Sequence, residues 1–251
     1  MALALCISFV AHSEVIPDRA NQYKRTLIRY AQAEFGIDAP VPMLAAQIHK
    51  ESAWRKDVCS AYACGLTQFT DATAEDAGRK YPALGPADVF NPNWAIQAMV
   101  LYDSDLKQQV DAIDECNDYG FALAMYNGGP GWIWKEKNLQ EKVGERDQYW
   151  EGVENVSARA DWAKKENRDY PRKIIFNLQE LYLSDGTWGS VEVCPNGPTV
   201  VAPEAAEDVV APDIQAPQEE TVPEEVPSQE SVKPDNPKPK TWKDWFLGLF
   251  N

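Results

Sequence analysis

The chain has 251 residues, which is enough for one medium-sized domain with extensions or for two small domains. It carries 39 acidic and 24 basic residues, a formal charge of −15, and a chain this acidic without basic clusters is a poor candidate for nucleic-acid binding. Only two histidines are present, His12 and His49, which disfavours a histidine-rich zinc site and a Ser-His-Asp triad. We therefore predict neither a nucleic-acid partner nor a metal or other cofactor.

Residues 1–13 read as an apolar leader. Residues 2–11 form a short apolar run, and Ala11-His12-Ser13 fits a small-x-small cleavage site. The leader has no basic region, since the first arginine is Arg19, so an upstream start or an apolar first helix are the alternatives. The run is too short to span a bilayer. The leader favours export to the periplasm, the cell envelope or the outside, with delivery by a phage as one route.

Residues 14–197 are predicted to form one globular, mainly α-helical domain. Gly, Pro and Asn clusters separate its periodic segments, and no convincing run of alternating strands is present, although a small hairpin within 55–72 or 184–194 is left open. Asp103-Ser104-Asp105 begins like a calcium loop, but Gln108 stands where the required glycine would be. Helical periodicity is visible in 20–35, 42–54, 93–113, 119–127 and 169–183.

A glutamate lies on the apolar face of the second predicted helix. Leu44, Ile48 and Glu51 are spaced i, i+4 and i+7, so a helix sets all three on one face. Because Leu44 and Ile48 make that face the buried one, the carboxyl group is either paired or held partly protonated by apolar surroundings. The second state is the one that a general acid needs near neutral pH.

Four cysteines follow the leader: Cys59, Cys64, Cys116 and Cys194. Four cysteines allow three disulfide pairings, and four free thiols in a reducing compartment are the alternative. Cys59 and Cys64 bracket a short loop and could close on each other, in which case Cys116 with Cys194 would tie the late chain to the middle. The apolar leader favours disulfides.

The composition changes at about Gly197. Residues 198–240 hold nine of the chain's eighteen prolines and no aromatic residue, and they are acidic, so we predict a disordered linker. Residues 241–251 instead place Trp242, Trp245 and Phe246, with Leu249 and Phe250, on one helical stripe. This amphipathic peptide predicts docking to a membrane surface or a protein partner, and folding back onto the domain is the alternative.

Five short motifs in order resemble the lytic transglycosylases of the soluble (SLT) type, relatives of goose-type lysozyme. The resemblance covers roughly residues 42–182. The motifs are Glu51-Ser52, then Gly65-Leu66-Thr67-Gln68, then Asn91-Pro92 with a helix, then Ala124-Met125-Tyr126-Asn127-Gly128-Gly129, and last Glu166-Asn167-Arg168-Asp169-Tyr170.

The resemblance implies a lysozyme-like helical fold and peptidoglycan glycan strands as substrate. It implies that Glu51 is the single catalytic acid and base for the bond between N-acetylmuramic acid and N-acetylglucosamine, which would yield a 1,6-anhydro product without consuming water. Most glycosidases use two carboxylates around the scissile bond. Tyr170 is similar to the family's tyrosine that supports the glutamate, and the region of Tyr126 and Asn127 lines the family's cleft.

Further substrate contacts are predicted at Ser52, Gly65 and Gln68. A glycine lets backbone approach a sugar closely, and a glutamine side chain both donates and accepts hydrogen bonds, as an N-acetyl group requires. Structural roles are the alternative: Tyr126 and Tyr170 as core aromatics, and the glycines after Asn127 as a helix cap. Saccharide stacking and core packing are weighed equally for Trp54, Trp132 and Trp134.

The sequence departs from the family pattern at Thr67, where methionine is usual, and at Ala95, where asparagine is usual. The charged stretch 135–165 is long and suggests an extra lobe over the cleft.

Two other functions remain as alternatives. A hydrolytic muramidase would need a second carboxylate, for which the loop candidates are Asp57, Asp71 and Asp76. A non-enzymatic peptidoglycan-binding part of an envelope or virion machine would leave Glu51 unused.

Overall fold

The computed structural model describes residues 14–142, 150, 157 and 159–197. The predicted leader (1–13), linker (198–240) and docking peptide (241–251) lie outside these residues, and so does most of the segment between 143 and 158 that was predicted to form an extra lobe.

Most of the described residues between 14 and 197 are in α-helices, and the prediction of a mainly α-helical fold is confirmed. The 3-10 turns Asp18–Gln22 and Pro82–Leu84 precede α1 and α4, and the π-helical turn Ile174–Leu178 joins the last two helices. Among the described residues the α-helices are α1 (Lys24–Phe35), α2 (Val41–Ser52), α3 (Asp71–Lys80), α4 (Pro92–Gln108), α5 (Glu115–Gly128), α6 (Pro130–Lys142), α7 (Asp161–Lys173) and α8 (Gln179–Asp185).

Two of these helices, α3 and α6, were not predicted from periodicity. Helix α3 is capped by Thr70, whose side chain accepts a hydrogen bond from the backbone N–H of Thr73, but it buries only Ala74 and Ala77. An apolar stripe of two alanines is too weak to show as a pattern. Helix α6 buries charged and polar side chains, Glu136, Lys137 and Gln140, so its inner face does not read as apolar.

Helix α2 forms the centre of the main hydrophobic core. Its residues from Val41 to Ile48 are buried, and it packs against α1, α8 and the π-helical turn Ile174–Leu178. A smaller cluster around Leu106, Phe121 and Trp150 lies where α4, α5 and α6 meet. Burial of α2 on nearly all sides gives a rigid support for whatever its last turn carries.

The end of α2 differs from the prediction, because the helix stops at Ser52 and not at residue 54. Ala53 and Trp54 both adopt left-handed backbone angles, with φ of 48° and 64°. Trp54 is fully buried, and its indole N–H donates to the Tyr182 hydroxyl over 2.7 Å, with the ring of Trp188 5.4 Å away. These contacts hold an unfavourable backbone conformation directly after the Glu51-Ser52 pair.

Two disulfides close the domain, Cys59–Cys64 and Cys116–Cys194, with Cα–Cα distances of 4.1 Å and 4.8 Å. The first staples the loop between α2 and α3, and the second links α5 to the segment after α8. The hairpin left open within 55–72 is reduced to two isolated antiparallel bridges, Cys59 with Cys64 and Cys64 with Phe69, and the described residues contain no longer strand. Within the same residues, no helix combines the length and the apolar character that crossing a bilayer requires.

Candidate active site

Glu51 lies in the last turn of α2 and meets a tyrosine from α7. The hydroxyl of Tyr170, a buried residue, donates a hydrogen bond to Oε1 of Glu51, which is itself half-buried. The two residues are 119 positions apart in the chain. The structure therefore brings together the first and last of the five motifs.

The environment of Glu51 favours the protonated carboxyl group. Burial raises the pKa of Glu51 from 4.5 to about 7, while the Tyr170 hydrogen bond and the charge of Lys50 lower it and the charge of Glu166 raises it. Glu51 takes part in none of the ion pairs formed between described side chains. A carboxyl group that holds its proton near neutral pH and can also release it is suited to general acid–base chemistry.

A second buried carboxyl group lies on α4. Asp103 accepts a hydrogen bond from Nε2 of Gln47 over 3.1 Å, and Gln47 stands one turn before Glu51 on α2. Burial raises the pKa of Asp103 well above its usual range, and the charge of Glu51 adds to this. Oδ2 of Asp103 and Oε1 of Gln47 are buried without another hydrogen-bond partner among the described residues, so a proton on Asp103 would supply the missing donor. Burial of Asp103 therefore favours its protonated form.

Tyr126 ties the end of α5 to the loop that precedes α3. Its hydroxyl donates to the backbone carbonyl of Thr67 over 2.8 Å. The buried hydroxyl of Thr67 in turn lies 3.4 Å from the backbone oxygen of Ala95. Thr67 and Ala95, two positions that depart from the family pattern, therefore contact each other through a side-chain hydroxyl and a backbone oxygen.

Ser52, predicted to contact substrate, makes its contacts inside the protein. It is buried, and its hydroxyl donates to the backbone oxygen of Leu66 over 2.7 Å. The same hydroxyl oxygen accepts from the backbone N–H of Arg55 over 3.2 Å. Ser52 thus anchors the loop after α2, and a contact with substrate stays a prediction.

Gly65 and Gln68 also shape this loop. Gly65 has φ of +82°, and a Cβ there would lie 2.0 Å from the backbone oxygen of Val89, so the close approach that requires glycine is to the protein's own backbone. The side-chain amide of Gln68 donates to the backbone oxygens of Val58 and Gly65 over 3.0 Å and 2.9 Å. The remaining polar atom of that amide, Oε1, is an acceptor, which limits the predicted contact to donors on a substrate.

Asn127 is exposed at the end of α5, and its Oδ1 accepts from Nδ2 of Asn167 over 3.2 Å. The two glycines that follow have different roles. Gly129 caps α5 with φ of 83° and donates its N–H to the backbone oxygen of Met125 over 2.8 Å. A Cβ on Gly128 would lie 2.3 Å from Nη1 of Arg159, so this glycine makes room for a side chain from the segment before α7.

The three tryptophans near the motifs occupy different environments. Trp54 is a core residue and is not available for stacking on a saccharide. Trp132 is half-buried, with Nζ of Lys135 5.0 Å and the guanidinium of Arg159 5.3 Å from its ring centroid. Trp134 is 37% exposed on α6, and its stacking on a saccharide stays a prediction.

The candidate second carboxylates show no link to Glu51. Asp57 is exposed in the loop after α2, Asp71 lies in the first turn of α3, and Asp76 pairs with Arg79 on the surface. The carboxylate whose charge acts on Glu51 is instead that of Glu166, an exposed residue of the last motif. No group of three or more potential metal ligands occurs among the described side chains.

Sequence reasoning missed the buried polar groups around the site. Besides Gln47 and Asp103, these are Glu136 on α6 and Arg159 before α7, which form an ion pair inside the protein. No motif marks them in a single sequence. The one available signal is the charged stretch 135–165, which was expected to lie over the cleft and not within the fold.

Comparisons with known proteins agree with this geometry. Residues 26–149 match the family model described as "Transglycosylase SLT domain". The chain is 31% identical over 150 residues to the membrane-bound lytic murein transglycosylase F of Pseudomonas fluorescens strain Pf-5, and 32% identical over 143 residues to that of Maricaulis maris strain MCS10. Each match covers 56% of this chain and 29% of the relative, so the chain spans less than a third of their length.

A solved structure shares the fold. The 70 kDa soluble lytic transglycosylase of Escherichia coli superposes with a TM-score of 0.51 at 20% sequence identity, over 67% of this chain and 25% of that one. The predicted resemblance and the predicted lysozyme-like helical fold are therefore confirmed. The last motif, residues 166–170, lies beyond the matched residues 26–149, and it contacts them through the Tyr170–Glu51 hydrogen bond and through the hydrogen bonds that Asn167 donates to Ala124 and Asn127.

Proposed function

Because residues 26–149 carry the transglycosylase SLT domain, we propose that this protein is a lytic transglycosylase that cleaves the glycan strands of peptidoglycan. The bond cleaved is the β-1,4 linkage from N-acetylmuramic acid to N-acetylglucosamine. Glu51 serves as the only catalytic acid and base, and the product carries a 1,6-anhydro ring.

The reaction proceeds in two proton transfers through one carboxyl group. Glu51 first gives its proton to the glycosidic oxygen, and the bond from that oxygen to C1 of the muramic residue breaks, which leaves a free 4-hydroxyl on the departing sugar. The Glu51 carboxylate then takes the proton of the muramic 6-hydroxyl as that oxygen bonds to C1. The enzyme regains its starting protonation state, and no water is consumed.

The observation that carries this proposal is the state of Glu51. Burial raises its pKa to about 7, so both the acid and the base form are accessible at neutral pH. Tyr170 donates to Oε1 and holds the carboxyl group in place while it changes charge. The buried acid Asp103 is bonded to Gln47, and burial raises its pKa well above the usual range, so we do not assign it as a second catalytic carboxylate.

The setting follows from the same comparison. The relatives are named as membrane-bound murein transglycosylases, and the leader of this chain favours export, so we place the activity at the cell envelope. Residues 241–251 would attach the domain to a membrane surface or a protein partner through the linker 198–240. Phage delivery and bacterial wall turnover both fit this arrangement.

The test is to digest purified peptidoglycan with the full chain and with Glu51→Gln, and to weigh the released muropeptides. The proposal predicts products lighter by one water than ordinary disaccharides, and none with the variant. Fully hydrated products would identify a muramidase instead. Binding to the wall without release by the wild type would identify a non-enzymatic wall-binding protein.

A further inference from the structure

A second glutamate, Glu136 on α6, is buried behind the site. Its side chain has no solvent exposure, and Oε1 accepts from Nε of Arg159 over 2.8 Å and from the hydroxyl of Ser157 over 2.5 Å. Nη2 of Arg168 lies 3.0 Å from Oε2. Both arginine side chains are 5% exposed, so two buried cations share one buried carboxylate.

The two arginines contact the segments that carry Asn127 and Tyr170, which are the end of α5 and helix α7. Nη1 of Arg168 donates to Oδ1 of Asn167 over 2.8 Å, and the amide of Asn167 donates to Ala124 and Asn127 at the end of α5. Two residues beyond Arg168 on α7, Tyr170 donates to Glu51. Arg168 therefore links Glu136 to the part of α7 that bonds to α5 through Asn167 and to Glu51 through Tyr170.

The other arginine acts on the end of α5 directly. Arg159 packs so closely on Gly128 that a Cβ there would lie 2.3 Å from Nη1, and its guanidinium lies 5.3 Å from the ring centroid of Trp132. Gly128 follows Asn127, so Arg159 braces the same turn that Asn167 holds. Glu136 is the shared partner of both arginines.

We propose that Glu136 is a positioning residue for the reaction: through Arg159 and Arg168 its carboxylate fixes Asn127 on α5 and Tyr170 on α7 relative to Glu51. This inference rests on the proposed function for its effect on turnover. Its effect on the Glu51 carboxyl group does not depend on that function. Glu136 touches neither substrate nor Glu51, so it acts only through the two helices.

The direction in which the pKa of Glu51 moves separates a positioning role of Glu136 from the simple loss of its charge. The Tyr170 hydrogen bond lowers the pKa of Glu51, so displacing Tyr170 raises it. Loss of a negative charge from Glu136 would by itself lower the pKa of Glu51, because a nearby negative charge opposes ionisation. An upward shift is thus the signature of positioning.

The experiment titrates the Glu51 carboxyl carbon by NMR in the full chain labelled with 13C-glutamate, with Glu51→Gln used to assign the signal. The variants are Glu136→Gln, Tyr170→Phe and the double variant. Glu141→Gln is the matched control, because Glu141 lies on the same helix and is exposed. We expect Glu136→Gln to raise the pKa of Glu51 by up to about one unit, and the double variant to go no higher than Tyr170→Phe alone.

In assays of muropeptide release, Glu136→Gln should lower kcat about 10- to 100-fold with KM little changed, since misplaced catalytic groups cost turnover more than binding.

If Glu136→Gln does not fold, Glu136→Asp is the second variant. It keeps the charge but is shorter, and an upward shift of the Glu51 pKa is again expected. An unchanged or lowered pKa of Glu51 in the folded variant overturns the inference. Absence of muropeptide release by the wild type would instead refute the proposed function, and the titration would still decide the role of Glu136.

Discussion

Glu51 and Glu136 are buried glutamates of one domain with opposite surroundings. Glu51 has a tyrosine hydroxyl for a partner and no ion pair among the described side chains, and burial raises its pKa to about 7. Glu136 has no solvent exposure, whereas Glu51 is half-buried, and the Glu136 carboxylate contacts the guanidinium groups of Arg159 and Arg168. Burial alone therefore does not make an acid, because the presence or absence of a cation decides what the carboxyl group does.

The difference follows from where each residue stands. Glu51 lies in the last turn of a helix whose buried face is mostly apolar, and Tyr170 bonds to its side chain. Glu136 lies on α6, whose inner face is polar, and faces the arginines of α7 and of the segment before it. In our proposals the first arrangement serves chemistry and the second serves the positioning of helices.

The largest expected effect is on turnover. Replacing Glu51 by Gln should lower kcat by at least about 10³-fold, since it removes the only acid and base of the proposed reaction. The same substitution at Glu141, an exposed residue, should leave kcat unchanged. Muropeptide release measured by mass spectrometry gives both rates, and comparable activity of Glu51→Gln and wild type would show that another group carries the chemistry.

The next effect concerns stability, where the two glutamates should differ in sign. The pKa of Glu51 is about 7 in the folded chain against an ordinary value of 4.5, so its ionisation destabilises the fold progressively between pH 4.5 and 7 and fully above pH 7. Glu51→Gln should then raise the free energy of unfolding by ~2 kcal/mol at pH 8, discounted because the residue is half-buried, and by little at pH 4. Glu136→Gln should lower it by ~3 kcal/mol, because it removes the carboxylate that pairs with the buried guanidinium group of Arg159.

Urea unfolding at pH 4 and pH 8 measures both differences. Equal destabilisation by the two variants at pH 8 would remove the contrast between the sites. A stabilising effect of Glu51→Gln that does not vary with pH would show that it arises from packing and not from ionisation.

A smaller effect is expected from the tyrosine partner. In the free enzyme Glu51 must be protonated, so kcat/KM should fall as pH rises through the pKa of about 7. Tyr170→Phe removes a hydrogen bond that lowers this pKa and should move the fall upward by about one pH unit. The profile of kcat/KM against pH checks it, with Tyr30→Phe on α1 as the control. A downward shift would mean that the hydroxyl bonds to the neutral acid.

The smallest effect is expected at Asp103. Because burial favours the protonated form of Asp103 and the residue is bonded to Gln47, Asp103→Asn should preserve charge and shape and change the free energy of unfolding by less than about 0.5 kcal/mol. Asp103→Leu leaves the buried amide of Gln47 unpaired and should cost ~2 kcal/mol. Thermal unfolding of both variants tests this, and a strongly destabilising Asp103→Asn would show that Asp103 is ionised.

Periodicity in the sequence was sufficient to predict most of the helices, though not α3 and α6, and to place Glu51 on a buried helical face. Leu44, Ile48 and Glu51 share a helical face because periodicity depends only on neighbours along the chain, and the structure agrees. The end of α2 was misplaced by two residues, since the left-handed turn at Ala53 and Trp54 is held by Tyr182 and by other aromatic residues distant in sequence. Such tertiary contacts leave no local signal.

The sequence predicted the positions of individual residues better than the contacts that their side chains make. Gly65 was expected to make room for a sugar, but the atom that a Cβ would meet is the backbone oxygen of Val89. Ser52 and Gln68 satisfy backbone groups of the same loop. The buried ion cluster of Glu136, Arg159 and Arg168 could not be predicted at all, because charged residues outside a motif are expected to lie on the surface.

The most direct test is the titration of the Glu51 carboxyl group in the unliganded full chain, followed by 13C NMR between pH 3 and 9. A midpoint near 7 is predicted, because burial without a cationic partner stabilises the neutral acid. A midpoint near the ordinary value of 4.5 would mean that Glu51 is ionised at neutral pH, and it could not then protonate a glycosidic oxygen in the proposed way.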